Sequence, residues 1–377
     1  MKKIAILSMP YFPFIGGLQI VTRELAIQYS KNGFETHVIT GDRTSQPDES
    51  VIQNIHIHRK RLLFQHSDKY PFSMKLLNHV AYNIRAFITL LQLRPDYVHC
   101  QTPYSSLAAW LIFKLCKIPY SIGYHAEIKT QIGIMLIPSM SRHWKKLPYL
   151  MDAHNRFVLT EDMKQELEDS GISSIVIPNG VDTEIYFPAD VKENFKTKPT
   201  IICVGRLVVS KAIDDSIHIL FRVSEKYPNT NLIIVGDGPE REKLETLAKT
   251  LKLQDRVMFT GQIEPDAVCS YYQMSHVFLQ MSVSEGFSQV AVEAMACGLP
   301  IVSTAVGVAP ELIQSSQNGF LIELHDIDDA TQKIEQIFEM SEEEYADKCN
   351  RSRDCALEYS WDRIAEIYLD AYGLRNN

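Results

Sequence analysis

Short apolar runs alternate with longer amphipathic segments along the whole chain, the pattern of parallel sheets joined by crossover helices. In the first half, residues 4–7, 36–40, 97–99 and 120–123 read as strands and 21–31 and 107–116 as helices, with 155–160 and 174–178 as two further short strands. In the second half, 200–204, 231–235, 257–259, 277–280 and 301–303 read as strands, each followed by turn residues and a helix. Trp361, Ile364, Ile367, Tyr368 and Tyr372 keep helical spacing and predict a last helix within 361–374. The stretch 188–198 is polar and bounded by proline, so it reads as a linker. The expectation is an α/β chain of two parallel-sheet domains, 1–187 and 199–360, with a closing helix in 361–377.

Composition adds bounds. A chain of 377 residues, 45% hydrophobic and 22% charged, is large enough for two independent cores and ordinary for a globular protein. The seven cysteines show no C-x-x-C pairing and sit mostly in apolar surroundings, as buried thiols of a reducing compartment do. The start, Met1-Lys2-Lys3-Ile4-Ala5-Ile6-Leu7-Ser8, has too few apolar residues for a signal peptide and reads as a first buried strand. No run approaches the roughly 20 apolar residues that span a bilayer, so a cytoplasmic protein is expected. Net charge is −8, divided as +4 over residues 1–185 and −12 over 186–377, and nucleic acid is not an expected partner.

The segment with the clearest chemistry is Glu285-Gly286-Phe287-Ser288-Gln289-Val290-Ala291-Val292-Glu293, two carboxylates eight residues apart. Val290, Ala291, Ala294 and Met295 supply the apolar face of a helix that Gly298-Leu299-Pro300 ends. At about 1.5 Å per helical residue the carboxylates stand roughly 12 Å apart, the reach from a ribose diol past a diphosphate to an attached sugar. A helix N-terminus between them offers unpaired N–H groups to the phosphates. Taken alone, Glu285 could as well cap the helix and Glu293 face water.

Other candidates follow strands, where open α/β sheets bind ligands. Gly16-Gly17 fits a phosphate loop or a plain turn. Arg206 and Lys211 could bind a diphosphate and stabilise charge on it, or simply be solvated. Gly236-Asp237-Gly238-Pro239 is a partial dinucleotide fingerprint whose third glycine is missing at Arg241. Asp326-Ile327-Asp328 spells D-x-D, but its place before a helix at 329–340 favours N-capping, and no metal is expected.

In order, Gly16-Gly17, His125, Pro178-Asn179-Gly180, Gly205-Arg206 with Lys211, Gly236-Asp237-Gly238, Glu285 with Glu293, Gly298-Leu299-Pro300, Pro310-Glu311 and Asn318-Gly319 span nearly the whole chain. Together they resemble the retaining glycosyltransferases of family GT4. That resemblance implies the GT-B fold, two Rossmann-like domains facing across a cleft, with the last helix crossing back onto the first. It implies hexosyl transfer from a nucleoside diphosphate sugar, UDP- or GDP-linked, with no metal or other cofactor. Arg206 and Lys211 would clamp the diphosphate. Glu285 and the N–H groups of Gly286, Phe287 and Ser288 would meet sugar and phosphate, and Glu293 the ribose. Gly16 and Gly17 would close over the phosphates, Gly236 and Ile263 would border the base, and His125 would reach the sugar. His99, where relatives show a paired histidine, is not expected in the site.

The chain departs from the pattern at three places. Ala212 stands where relatives carry glycine, which suggests a loop that avoids positive φ. Ser288 replaces a glycine and would add a hydroxyl near the phosphates. Val308 replaces the second of two glycines and suggests an altered loop. A glycan or lipid-linked acceptor is expected, in cell-surface polysaccharide or glycolipid synthesis. Segments 132–138, 142–150 and 59–64 mix apolar, aromatic and basic residues, which suits either docking on the inner, anionic face of the membrane or ordinary packing. A nucleotide-sugar epimerase of similar fold and a non-catalytic binding protein stay open as alternatives.

Overall fold

The computed structural model describes residues 1–9, 17–42, 47–63, 72–125, 152–189 and 195–375. The chain divides into two compact units, Met1–Gly180 with Trp361–Asn377, and Val181–Ser360. Unit 1 holds, among the described residues, strands β1 (Lys3–Ser8), β2 (Glu35–Asp42), β3 (Glu49–Ile52), β4 (Ile55–Arg61), β5 (Tyr97–Cys100), β6 (Tyr120–Gly123), β7 (Asn155–Val158) and β8 (Ile175–Val176). They form one sheet in the order β3-β4-β2-β1-β5-β6-β7-β8, with β3–β4 antiparallel and the other pairings parallel. The helices are α1 (Gly17–Lys31), α2 (Phe72–Leu93), α3 (Ser106–Cys116) and α4 (Glu161–Glu168). Ile4, Ile6, Val38, Ile55 and Ile57 of the sheet bury against Leu25, Ala26 and Tyr29 of α1. Each such fully buried aliphatic side chain contributes roughly 1.5–3 kcal/mol.

The hairpin β3–β4 and helix α2 were not predicted. The basic run that begins at Arg59 is part of β4: Arg59 is buried, its Nη1 donating to Ser50 Oγ at 2.7 Å and to the Pro47 carbonyl at 3.3 Å. Lys60 Nζ lies 3.2 Å from Glu49 Oε1. Arg59 and Lys60 therefore serve the hairpin. Phe64 and the segments 132–138 and 142–150 lie outside the described residues.

Unit 2 holds β9 (Thr200–Val204), β10 (Asn231–Val235), β11 (Val257–Gly261), β12 (Val277–Gln280), β13 (Ile301–Thr304) and β14 (Phe320–Ile322). All pair in parallel, in the order β11-β10-β9-β12-β13-β14. Around them lie α5 (Ile213–Lys226), α6 (Arg241–Thr250), α7 (Pro265–Gln273), α8 (Gln289–Ala296), α9 (Ala309–Ser316), α10 (Ile327–Glu339) and α11 (Glu342–Leu357). Ile201, Leu232, Ile234 and Leu279 pack with Ile217 and Leu220 of α5 and with Ile334 and Ile337 of α10. Strand order reverses between β9 and β12, and the crevice beyond their carboxyl ends is where doubly wound sheets take ligands.

The last helix, α12 (Trp361–Ala371), belongs to unit 1 and buries Trp361, Ile364, Ala365, Tyr368 and Leu369. Just beyond it, Tyr372 Oη lies 2.9 Å from both Tyr29 Oη and His99 Nδ1. The passage between units falls at Gly180–Val181 and Ser360–Trp361, not at 187–199. Arg353 explains the difference. Its Nη1 donates to the Tyr186 carbonyl at 2.8 Å and its Nη2 to that of Thr183 at 3.1 Å, fastening 181–187 to unit 2. Phe195, expected in the linker, is buried and stacks on Tyr345 with ring centroids 3.8 Å apart. Among the described residues no helix is long and apolar enough to cross a membrane.

Candidate functional site

The loops after β9 and β12 meet at the switch point. After β9, Gly205-Arg206-Leu207 lead into a 3-10 turn, Val209–Lys211, directly before α5. After β12, residues 281–288 run without helix to the start of α8. A backbone bond from Val283 N to the Ser210 carbonyl, 2.8 Å, ties one loop to the other. It sets Lys211 Nζ against Glu285 Oε1, and Ser282 Oγ donates to that same oxygen at 2.8 Å. Lys211 and Glu285 are 21% and 13% exposed, so the pair is shielded but reachable. Arg206 is exposed and, among the described residues, makes no side-chain hydrogen bond or ion pair. The crevice thus holds a paired cation, an unpaired one and a carboxylate whose second oxygen has no partner in the pairings above.

One of the expected loop departures is overturned. Ala212 adopts φ 45°, ψ 46°, the left-handed conformation its lack of glycine argued against. The turn needs that geometry to launch α5, and an L residue there costs roughly 1–2 kcal/mol. In the loop before α9 Gly307 takes the positive φ of 56°, and Val308 sits at φ −87°. A Cβ on Gly307 would lie 2.5 Å from the Phe287 carbonyl oxygen, and Val308 N donates to that oxygen at 2.8 Å.

Ser288 is the third departure. It stands at the N-cap position of α8 at φ 75°, ψ 60°, with no side-chain capping bond, and its hydroxyl is buried. Instead Ser288 Oγ donates to Gln280 Oε1 at 2.5 Å. Gln280 is itself buried, and its Nε2 has no hydrogen-bond partner among the described residues.

Helical geometry starts only at Gln289, so half of the eight steps from Glu285 to Glu293 lie in loop, and the helical rise covers only the second half. Glu293 is half-buried on α8. Burial pushes its carboxyl up to about 8, while the Tyr272 hydroxyl, 3.4 Å from Oε2, pulls it down. Tyr272 Oη also donates to the Val290 carbonyl at 3.1 Å.

The remaining positions distribute as follows. Gly236 is required by its neighbour strand: a Cβ there would collide with the Gly205 carbonyl oxygen. Arg241, in the place of the missing glycine, lies 3.1 Å from Asp237 Oδ2 and 2.9 Å from Glu245 Oε1. Ile263, half-buried, follows β11 beside this loop. Asp326 caps α10, its Oδ1 accepting from Asp329 N at 2.9 Å. Gly17 opens α1 in unit 1, with open space around its Cα, and Gly16 lies outside the described residues. His125 follows β6; burial lowers it to about 4, so it is neutral at pH 7. Burial likewise lowers His99 to about 3, and its Nδ1 meets Ser121 Oγ at 2.9 Å as part of the core.

Sequence reasoning missed Gln280, Ser282 and Tyr272. Ser282 and Gln280 had a signal, polar residues closing an apolar strand just before Glu285. Tyr272 comes from a different helix, α7, and nothing local to Glu293 announces it.

Comparison with known proteins accords with this arrangement. Residues 15–185 match the model of glycosyltransferase family 4, and 188–353 that of glycosyl transferases group 1. An uncharacterized glycosyltransferase of Methanocaldococcus jannaschii is 27% identical, covering 98% of this chain and 97% of its own. N-acetyl-alpha-D-glucosaminyl L-malate synthase of Bacillus anthracis is 26% identical over 96% of this chain and 94% of its own. The crystal structure of Anabaena HepE in complex with UDP shares the fold, with a TM-score of 0.76 and 17% identity over 98% of this chain and 99% of its own. With both halves matched in order and the two-sheet fold shared, the chain belongs to the family 4, group 1 glycosyltransferases, enzymes of the GT-B type.

Proposed function

We propose that this enzyme is a retaining transferase that moves a hexosyl group from a nucleoside diphosphate sugar to an acceptor hydroxyl. The observation that carries the reading is the convergence of Lys211, Arg206 and Glu285 at the switch point beside the start of α8. The two cations and the N–H groups of the first turn of α8 suit a diphosphate. Glu285 suits the sugar hydroxyls, since an ionised carboxylate accepts only, and Glu293 suits the ribose diol. HepE, a protein of the same fold, holds UDP, which supports a nucleoside diphosphate as the leaving group.

In the proposed reaction the bond between the anomeric carbon and the β-phosphate oxygen breaks. The acceptor oxygen bonds to that carbon on the same face, and its proton passes to the departing diphosphate. Arg206 and Lys211 take up the charge that grows on the diphosphate, so no metal or other cofactor is called for. The proposed acceptor is a glycan or lipid-linked hydroxyl of cell-surface polysaccharide or glycolipid synthesis.

Incubation with a panel of UDP- and GDP-sugars, with released nucleotide as readout, tests the donor assignment. Release from one or a few donors, undiminished by EDTA and lost in Glu285→Gln, is expected. Release from none, or equal release by Glu285→Gln, contradicts it. Proton NMR of the product then checks that the anomeric configuration is kept.

A further inference from the structure

Two of the buried cysteines touch. Cys269 Sγ lies 3.8 Å from Cys297 Sγ, one on α7 and the other directly after α8. Cys297 is fully buried, whereas Cys269 is 5% exposed on a helix whose next residue, Ser270, is exposed. A cation backs the pair. Arg353 Nη1, from α11, donates to the Ala296 carbonyl at 2.9 Å and to that of Tyr186 at 2.8 Å. Cys269 Sγ reaches the carbonyl of the next residue, Phe187, at 3.9 Å. The guanidinium interacts electrostatically with both thiols. A neighbouring cation favours the thiolate, the form that reacts with peroxides. Cys100 and Cys203, also buried, stand differently: their partners are the Ser105 carbonyl and the Ser216 hydroxyl. Burial pushes both of those thiols up, Cys203 to about 12.

The touching pair borders the donor crevice. Tyr272 follows Cys269 by three residues on α7, so the two share a face of that helix. Its Oη donates to the Val290 carbonyl at 3.1 Å and lies 3.4 Å from Glu293 Oε2. On the other side, Cys297 N donates to the Glu293 carbonyl at 3.1 Å.

We infer that Cys269 and Cys297 are a site of reversible oxidation, a dithiol that hydrogen peroxide converts to a disulfide clamping α7 to the end of α8. The Cys269 sulfur attacks one peroxide oxygen and the O–O bond breaks, giving a sulfenic acid and one water. The Cys297 sulfur then bonds to that sulfur and displaces its hydroxyl as a second water. Two electrons and two protons leave the thiols and reduce the peroxide. Bond formation draws the sulfurs from 3.8 Å to about 2 Å. Tyr272 moves with its helix, and its contact with Glu293, at 3.4 Å, has no slack to give. That contact favours the ionised carboxylate, so its loss weakens the hold on a ribose. This last effect rests on the assignment of Glu293 to the ribose, and the disulfide does not. In a reducing compartment such a bond is transient and acts as a sensor.

To test this, the full-length protein is reduced, treated with hydrogen peroxide, alkylated and digested at glutamate, which cuts between the two cysteines at Glu285 and Glu293. Two fragments joined through Cys269 and Cys297, and parted by dithiothreitol, are expected. Calorimetry with UDP and with GDP reads the effect on the site. Affinity for the nucleotide that binds should fall about fivefold on oxidation, the worth of one hydrogen bond, and return with dithiothreitol. Cys297→Ala should keep its affinity through the same treatment. Recovery of both cysteines as thiols, as sulfinic or sulfonic acids, or in a disulfide with a third cysteine overturns the proposal. A cross-link that leaves nucleotide affinity unchanged overturns the coupling through Tyr272. The cross-link is read without nucleotide, so its absence and a failure of the donor assignment are told apart.

Discussion

Glu293 offers a test in which the proton is the reporter. Burial raises its carboxyl to about 8 in the ligand-free enzyme, so at pH 7 about 0.9 of the molecules carry the proton. Ribose hydroxyls donate to the ionised form and would return it toward the ordinary carboxylate range. Donor binding at pH 7 should then release close to one proton, and affinity should rise with pH, by about fiftyfold between pH 6 and 8. A nucleoside diphosphate sugar is the right ligand, since its diphosphate, esterified at both ends, adds no titration near neutrality. Calorimetry in two buffers of different ionisation enthalpy gives the proton count directly. Glu293→Gln should bind with no proton release and no pH slope. The same group works the other way on the ligand-free fold. Between the ordinary carboxylate value and about 8 the native state holds the extra proton, so its contribution to stability falls as pH rises, and Glu293→Gln removes that dependence. If the parent releases no proton on binding, or the glutamine variant keeps the slope, Glu293 does not meet the ribose.

Three further outcomes follow from the loop geometry. Glu285→Gln should lower kcat by about 10²–10³-fold while its melting temperature stays near that of the parent, because the side chain serves a partly solvated loop. Gln280→Leu orphans the buried Ser288 hydroxyl and should destabilise by about 1–3 kcal/mol, and adding Ser288→Gly should recover most of that loss. Additive effects in this double-mutant cycle would refute the coupling. Gly307→Ala meets both positive φ and the Phe287 carbonyl oxygen at 2.5 Å, and denaturant unfolding should show a loss of about 2 kcal/mol or more.

How much was legible in the sequence depended on how far each element is decided locally. The strands predicted at 120–123, 200–204, 231–235 and 277–280 agree with β6, β9, β10 and β12 to the residue. Each is a short apolar run between turn residues, and burial on both faces leaves little room for error. Helix α2 escaped because Asn78, Asn83 and Thr89 are buried beside Tyr82, Ala86 and Leu90 while Leu77, Val80, Ile84 and Ile88 are exposed, which blurs the segregation that marks a helix. The β3–β4 hairpin escaped because its strands carry few apolar residues, and the basic run from Arg59 suits docking or packing as well as a strand. The unit boundary differs from the expected linker because Arg353 and Tyr345, which hold Thr183, Tyr186 and Phe195 to unit 2, come more than 140 residues later. Within the site, Glu285 and Lys211 stood out, but their contact depends on the strand order, which places β12 beside β9. The positive φ at Ala212 and Ser288 could not be read from residue type, which argues against it; tertiary bonds such as Ser288 to Gln280 hold it in place.

The account rests on where the donor lies. A crystal structure of the Glu285→Gln variant with a bound nucleoside diphosphate sugar addresses that directly. The diphosphate should lie at the first turn of α8, in contact with Arg206 and Lys211, with the ribose hydroxyls at Glu293 and the sugar at position 285. A donor bound away from the carboxyl ends of β9 and β12, or a diphosphate touching neither cation, would contradict it.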